Sequence, residues 1–106
     1  MDGGPGRYWH LEFNAPLSDA RANALAGALA AREPGRVLDM GCGWGELLLR
    51  TLAAAPGATG IGVDLDEELL ARGRENARRR GLAERVCFAT ADPGGPADVA
   101  ICVGSE

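Results

Sequence analysis

The sequence predicts an α/β fold in which one parallel sheet lies between layers of helices. Short apolar runs alternate along the chain with longer segments whose apolar residues recur at helical spacing, and glycine or proline separates most of them. Apolar runs without polar alternation are typical of parallel strands buried on both faces. With 106 residues, 46% of them hydrophobic and 25% charged, the chain suits one small domain. We expect three layers and about four strands.

The first helix is predicted to follow a loose N-terminal lead-in. Residues 1–16 contain glycines, two prolines and a cluster of aromatic residues. Ser18 is a favourable N-cap, and the residues behind it are apolar at helical spacing as far as Arg32. A Pro-Gly pair then ends the helix. We therefore place the lead-in at residues 1–16 and the folded domain at residues 17–106.

A strand, a helix and a second strand come next. The apolar run Arg36–Met40 ends in glycines and is interpreted as a buried strand. From Gly45 onwards, leucines and alanines recur at helical spacing until Pro56, and Gly60–Asp64 is the second predicted strand. Strand, helix and strand in this order are typical of a parallel pair with a crossover helix.

The third predicted helix has both a start signal and a stop signal. Asp66 can cap it, two glutamates follow in its first turn, and arginines occupy its last turn. Gly81 suits the left-handed position just after the helix end. Two further strands are predicted at Val86–Thr90 and Asp98–Val103.

Composition argues against several classes of partner and site. The formal net charge of −4 gives no general attraction to nucleic acid or to an anionic membrane. No apolar run is long enough for a membrane span or a signal sequence. Three cysteines without CxxC spacing favour a reducing, cytoplasmic location, and a single histidine disfavours a metal site. We expect a cytoplasmic protein that binds no nucleic acid, membrane or metal.

A glycine-rich turn joins the first predicted strand to the second helix. It reads Asp-Met-Gly-Cys-Gly-Trp-Gly over residues 39–45. Glycine lets the backbone turn sharply and approach a ligand, and the free N–H groups at the start of the next helix face that ligand. A carboxylate or a phosphate would satisfy these donors equally well, and a purely structural tight turn is the alternative.

An acid at the end of the second strand adds to this pattern. Asp64 lies 19 residues after Gly45. In a doubly wound sheet this position faces the same crevice as the loop, where a carboxylate can accept hydrogen bonds from both hydroxyls of a ribose. Asp66 fits a helix cap better, because the helix follows it directly. We therefore expect Asp64 to bind a ribose.

The glycine spacing of the loop is GxGxG, whereas nicotinamide dinucleotide enzymes have GxGxxG. An acid followed by xGxGxG, matched by Asp39, Gly41, Gly43 and Gly45, resembles the first motif of the class I S-adenosylmethionine-dependent methyltransferases. The resemblance covers residues 36–104. It implies a Rossmann-like fold with a seven-stranded sheet, of which this chain would form the cofactor-binding portion, truncated after the fourth strand.

The resemblance also implies how single residues would bind S-adenosylmethionine. The glycine loop would lie along the methionine part, and Asp39 would hold either the loop or the amino group of the cofactor. Asp64 would bind the ribose diol, Leu65 would pack on the adenine, and Asp92 would accept from the adenine amino group. An ordinary turn is an equal alternative for Asp92, and the Cys42 side chain is interpreted as packing within the loop. The predicted cofactor-binding residues are Asp39, Gly41, Cys42, Gly43, Gly45, Asp64, Leu65 and Asp92.

The function that the resemblance implies is methyl transfer from S-adenosylmethionine to a small-molecule acceptor. A sulfonium donor is already activated, so the protein mainly supplies alignment, and we predict no catalytic residue and no metal ligand. A non-catalytic S-adenosylmethionine-binding module, or a methyltransferase remnant that needs a partner, is the alternative. An oxidoreductase with a nucleotide cofactor is disfavoured by the glycine spacing.

Two features depart from this family. Only seven residues lie between Thr90 and Asp98, whereas a parallel crossover ordinarily takes a dozen or more. We expect no helix between residues 91 and 98, or else a shifted or poorly formed fourth strand. A sheet that ends at the fourth strand would also leave an apolar edge there, which we expect a second copy, a partner chain or another segment to cover.

Overall fold

A computed structural model of the chain describes residues 9–13 and 18–103. Five parallel strands form one sheet in the order β1-β5-β2-β3-β4, and three α-helices and one short 3-10 turn connect them. The elements in chain order are β1 (Trp9–Phe13), α1 (Asp19–Ala30), β2 (Arg36–Met40), α2 (Glu46–Ala54), β3 (Thr59–Val63), α3 (Glu67–Arg79), the 3-10 turn (Ala83–Arg85), β4 (Val86–Ala89) and β5 (Val99–Val103). The Rossmann-like parallel sheet is confirmed, in an incomplete form.

The helices begin and end at the predicted signals. The Ser18 hydroxyl accepts a hydrogen bond from the Arg21 N–H at 3.1 Å, which caps α1. The Asp66 carboxylate caps α3 by accepting from the backbone N–H groups of the following turn at 2.9 and 3.3 Å. At the other end of α3, Leu82 N–H donates to the Ala77 carbonyl at 2.8 Å, and Gly81 is left-handed with a φ of 73°. The left-handed glycine was predicted from the sequence, and the hydrogen bond from Leu82 completes a Schellman motif.

Two glycines with open space around them test these backbone assignments. Gly27 lies inside α1, where alanine forms helix better, so we expect Gly27→Ala to raise the free energy of unfolding by about 0.5–1 kcal/mol. Gly81 has a positive φ, so we expect Gly81→Ala to lower that free energy by about 1–2 kcal/mol. Urea unfolding of both variants measures the two changes, and changes of the same sign would contradict this assignment.

The core lies between the sheet and one layer of helices. Helices α2 and α3 connect strands that follow one another in the same direction across the sheet, so right-handed crossovers place both helices on the same face. Helix α1 packs against α2. The largest fully buried apolar side chains are Leu29, Leu48, Leu49, Leu52 and Leu70 from the helices, and Val37, Val99 and Ile101 from the sheet.

The link between β4 and β5 contains no helix over residues 91–98, as predicted from its length. Strand β5 is nevertheless regular, with Val99 opposite Val37 in register. The Arg36 guanidinium holds the link by donating to the carbonyls of Pro96 at 2.5 Å and Gly94 at 3.2 Å. Of the three expected layers, the described residues therefore form the sheet and one helical layer, because the link is too short to form the second.

The N-terminal lead-in contributes a strand that the sequence analysis did not predict. Strand β1 pairs in parallel with β5, from Trp9 opposite Val99 to Phe13 opposite Val103. The chain thus covers the outer edge of β5 with its own backbone, which satisfies the free N–H and C=O groups there. Of the three covers expected for this edge, another segment of the chain is the one observed, in place of a second copy or a partner chain. The boundary between residues 16 and 17 stays a prediction.

Candidate functional site

A cavity of about 640 Å³ opens beside the loop that follows β2. This volume lies in the range of small-molecule sites. The lining residues come from the loop and from all three helices: Asp19, Ala22, Asp39, Gly41, Cys42, Gly43, Trp44, Glu46, Leu47, Arg50 and Leu69. Four of the predicted cofactor-binding residues therefore meet in one cavity, namely Asp39, Gly41, Cys42 and Gly43.

The backbone of the glycine loop is fixed to the neighbouring strand and helix. The N–H groups of Gly41 and Cys42 both donate to the Val63 carbonyl, at 2.7 and 2.9 Å. Gly45 is the N-cap of α2 and has a φ of 79°, and its carbonyl accepts from Leu49 N–H at 2.8 Å. The loop is consequently held in place at the point where β2, β3 and α2 meet.

Asp64 is half-buried at the end of β3 and contacts the loop directly. One carboxylate oxygen accepts from Gly43 N–H at 2.9 Å, and the other accepts from Asp66 N–H at 2.9 Å. Each oxygen can accept a further hydrogen bond, because a carboxylate offers about four lone-pair sites. The structure thus places Asp64 beside the loop as expected, and its role in binding a ribose stays a prediction.

Asp39 is almost fully buried in the cavity wall, with 2% of its surface exposed. Its Oδ1 atom has no hydrogen-bond partner among the described residues. Burial raises the pKa of Asp39 to about 8, and the nearby Asp64 carboxylate adds to this effect. The Gly43 N–H of the loop donates to Asp64, and both roles considered for Asp39, holding the loop or the amino group of the cofactor, stay predictions. Asp39 is therefore a buried acid in the cavity wall with one oxygen that no described residue satisfies.

Cys42 packs within the loop, as interpreted from the sequence. Its thiol donates to the Gly43 carbonyl at 3.3 Å, and a Cβ on Gly62 would lie 2.8 Å from its sulfur. Burial, together with the Asp39 and Asp64 carboxylates, raises the pKa of the Cys42 thiol to about 12. The thiol consequently stays protonated and is a poor nucleophile.

Leu65 and Asp92, predicted to contact adenine, are not among the residues that line the cavity. Leu65 is 88% exposed. Asp92 is exposed, and its carboxylate accepts from Gly94 N–H at 2.8 Å, which is the turn considered as its alternative role. The adenine contacts of both residues stay predictions.

A charge network in the cavity wall was not predicted from the sequence. The Arg50 guanidinium donates to Glu46 at 2.7 Å, to the Asp19 carboxylate at 3.0 Å and to Asn23 at 2.9 Å, which ties α2 to α1. Burial would raise the pKa of Glu46, but hydrogen bonds from Arg50 and Arg80 hold it below its ordinary value. The spacing of Glu46 and Arg50, four residues apart in a helix, was the available signal.

Comparisons with known proteins agree with this geometry. The family described as "Methyltransferase domain" matches residues 37–105. The uncharacterized protein YjhP of Escherichia coli is 35% identical over 95 residues, which cover 85% of this chain and 38% of YjhP. The crystal structure of a SAM-dependent methyltransferase from Thiobacillus denitrificans, in complex with S-adenosyl-L-homocysteine, has a TM-score of 0.72 and 33% identity. That match covers 87% of this chain and 39% of the other.

Relatives that carry specific names differ in their acceptors. A release factor glutamine methyltransferase of Bradyrhizobium diazoefficiens is 37% identical over 98 residues, with 80% of this chain and 32% of the relative covered. A 27-O-demethylrifamycin SV methyltransferase of Amycolatopsis mediterranei is 35% identical over 88 residues, with 80% and 32% covered. The chain thus spans less than two fifths of the length of the relatives it matches.

The described residues contain neither a membrane-spanning helix nor a metal-binding cluster. No helix among them is long and apolar enough to cross a membrane. Within the same residues, no group of three His, Cys, Asp or Glu side chains is arranged to hold a metal ion. Because the family match covers most of the chain and the fold and the loop agree with it, the chain belongs to the methyltransferase domain family, with the Rossmann-like fold of the class I S-adenosylmethionine-dependent methyltransferases.

Proposed function

We propose that the chain binds S-adenosylmethionine in the cavity beside the glycine loop and takes part in methyl transfer to a small-molecule acceptor. The observation that carries the proposal is the buried Asp39, whose Oδ1 has no partner among the described residues and which lines the cavity together with the loop. A buried acid of this kind calls for a donor or a cation from a ligand. S-adenosylmethionine offers an ammonium group and a sulfonium group.

The residues present fit this cofactor. The loop leaves room for a ligand at Gly43, where an added Cβ would meet nothing within 4 Å. Asp64 keeps acceptor capacity for ribose hydroxyls beyond its two backbone bonds. Asp39 would face the cationic end, since it is the buried carboxyl of the cavity wall. The predicted set of cofactor-binding residues, including Leu65 and Asp92, is retained as part of this proposal.

The cofactor supplies a methyl group on an activated sulfur, so the residues of this chain mainly bind and orient it. Two points support a small-molecule acceptor: the net charge of −4, which disfavours nucleic acid, and the likeness to the rifamycin methyltransferase. The likeness to a release factor methyltransferase makes a protein acceptor the competing class.

The free cysteines support our further proposal of a cytoplasmic location.

A non-catalytic cofactor-binding module is the second candidate. The described residues support cofactor binding through the loop, Asp39 and Asp64, and this support holds equally for a module that binds the cofactor without transferring its methyl group. Incubation with methyl-labelled S-adenosylmethionine and a panel of small molecules and proteins separates the two candidates. Label transfer supports the enzyme, and binding without any transfer supports the module.

We expect Asp64→Asn to weaken binding of S-adenosylhomocysteine by about 10- to 100-fold. The amide would have only one acceptor oxygen and would lose the charge that faces the Gly43 N–H and the ribose hydroxyls. Calorimetric titration of the folded variant measures the loss.

Asp66→Asn is the matched control for this titration. It removes the same charge two residues away, and asparagine caps a helix as well as aspartate does. We therefore expect an affinity within about twofold of the wild type. Equal loss of affinity in both variants would contradict a specific role for Asp64, and a folded wild-type chain that binds nothing would refute the proposed function.

A further inference from the structure

The surroundings of the Asp39 carboxyl contain more acids than bases. Asp64, which follows β3, is the charged group that acts on the Asp39 carboxyl and raises its pKa in addition to burial. The register partners of Asp39 in the flanking strands, Gly62 and Ile101, are uncharged. The other titratable or charged groups that line the same cavity are Asp19 from α1, Cys42 from the loop, and Glu46 and Arg50 from α2.

Among the described residues, the one cation that lines this cavity is already paired. Arg50 donates to Glu46 and to Asp19, so its charge is balanced by two carboxylates of the same wall. The Asp39 carboxyl thus lies in a low-dielectric site beside a like charge, without an opposite charge of its own. Such a site favours the neutral, protonated acid until a cation arrives.

We propose that ligand binding in this cavity is coupled to the release of the Asp39 proton. This inference rests on the proposed function, because it requires a ligand that brings a cation, such as the ammonium of S-adenosylmethionine or S-adenosylhomocysteine. On binding, the O–H bond of the carboxyl breaks, the proton passes to the solvent, and the electron pair stays on Asp39 as a carboxylate that offsets the cation of the ligand.

The number of protons released on binding follows from the pKa of the buried Asp39 carboxyl before and after the ligand binds. The free carboxyl has a pKa of about 8, so most of it is protonated at pH 7. An opposite charge within about 4–6 Å lowers a carboxyl pKa by about 1–3 pH units. Binding at pH 7 should therefore release somewhat less than about one proton per ligand. The affinity should rise up to about tenfold per pH unit between pH 6 and 7, and level off above pH 8.

The test is calorimetric titration of the chain with S-adenosylhomocysteine at pH 7 in two buffers of different ionisation enthalpy. The difference between the two apparent enthalpies gives the number of protons released. We expect about 0.4–0.9 proton for the wild type. We expect close to none for Asp39→Asn, because asparagine has the size of the neutral acid but no proton to release at this pH. Asp19→Asn, which removes another carboxyl of the same cavity wall, should keep the wild-type proton release.

The outcomes separate this inference from the proposed function. Binding by the wild type without proton release would overturn the inference and leave cofactor binding standing, whereas no binding at all would overturn both. Proton release that persists in Asp39→Asn would assign the proton to another group and overturn the inference. If the variant fails to fold, carbon-13 NMR titration of the wild-type Asp39 carboxyl decides. A midpoint that falls by at least one pH unit on binding supports the coupling, and an unchanged midpoint overturns it.

Discussion

Replacing Gly45 with alanine is expected to lower the free energy of unfolding by about 2–5 kcal/mol. Two costs add at this position. A φ of 79° is unfavourable for alanine by about 1–2 kcal/mol. The added Cβ would also lie 2.7 Å from Cε1 and 2.8 Å from Cζ of Phe88, an overlap of the kind that costs about 1–3 kcal/mol in a packed core. Urea unfolding measures the loss.

Gly43→Ala is the matched control for this prediction. It lies in the same loop with a positive φ of 59°, but an added Cβ would meet nothing within 4 Å. We therefore expect it to cost only about 1–2 kcal/mol, which is the backbone part alone. Equal losses for Gly43→Ala and Gly45→Ala would show that Phe88 does not constrain the loop.

A double variant isolates the Phe88 contact. Phe88→Leu makes room at the ring position, so Gly45→Ala should cost at least about 1 kcal/mol less in that background than in the wild type. Strict additivity of the two changes would contradict the contact. The coupling would mean that the last glycine of the loop serves packing of α2 against β4, whereas Gly41 and Gly43 line the cavity.

The Phe88 ring shows why part of this fold could be predicted from the sequence and part could not. Apolar periodicity and caps such as Ser18 and Asp66 act locally, so the helices were predicted within a few residues of their observed ends. The contact of Phe88 with Gly45, Gly62 and Gly73 joins four separate elements. These glycines are far apart in the sequence, so only the structure shows that their missing side chains leave space for the Phe88 ring.

Strand β1 was missed for a related reason. The segment 9–13 is flanked by glycines and prolines, which favour loops, and it becomes a strand because the edge of β5 offers backbone partners. The apolar and aromatic residues at positions 8–13 were the signal that could have indicated it. The length of the 91–97 link, by contrast, depends only on chain geometry, so the absence of a helix there was predictable.

Some features of the candidate site could likewise be predicted from the sequence, whereas others appeared only in the structure. Glycine spacing predicted the loop, and the strand end predicted Asp64, since both follow from the order of strands and helices. Burial of Asp39 and the pairing of Arg50 with Asp19 depend on how α1 packs against α2, which no local pattern determines. Chemistry of single groups, such as a raised pKa, therefore emerged only from the structure.

The raised pKa of Asp39 also predicts how stability depends on pH in the absence of any ligand. An aspartate has a pKa of 3.8 when exposed, whereas burial and the nearby Asp64 raise that of Asp39 to about 8 in the folded chain. Between these values the folded state holds a proton that the unfolded state has lost. The stabilising contribution of this proton is fully present below pH 3.8 and is lost as the pH rises through about 8.

We therefore expect the free energy of unfolding of the ligand-free wild type to fall by about 2–3 kcal/mol between pH 5 and 7, relative to Asp39→Asn, because one pH unit corresponds to at most about 1.4 kcal/mol for one proton. Urea unfolding of both proteins at several pH values isolates this contribution, since every other titrating group is shared. Parallel stability curves for the two proteins would show that Asp39 is ionised in the folded chain. Curves that separate as the pH rises, with the wild type falling below Asp39→Asn, would establish, without any ligand, the protonated acid from which proton release on binding must start.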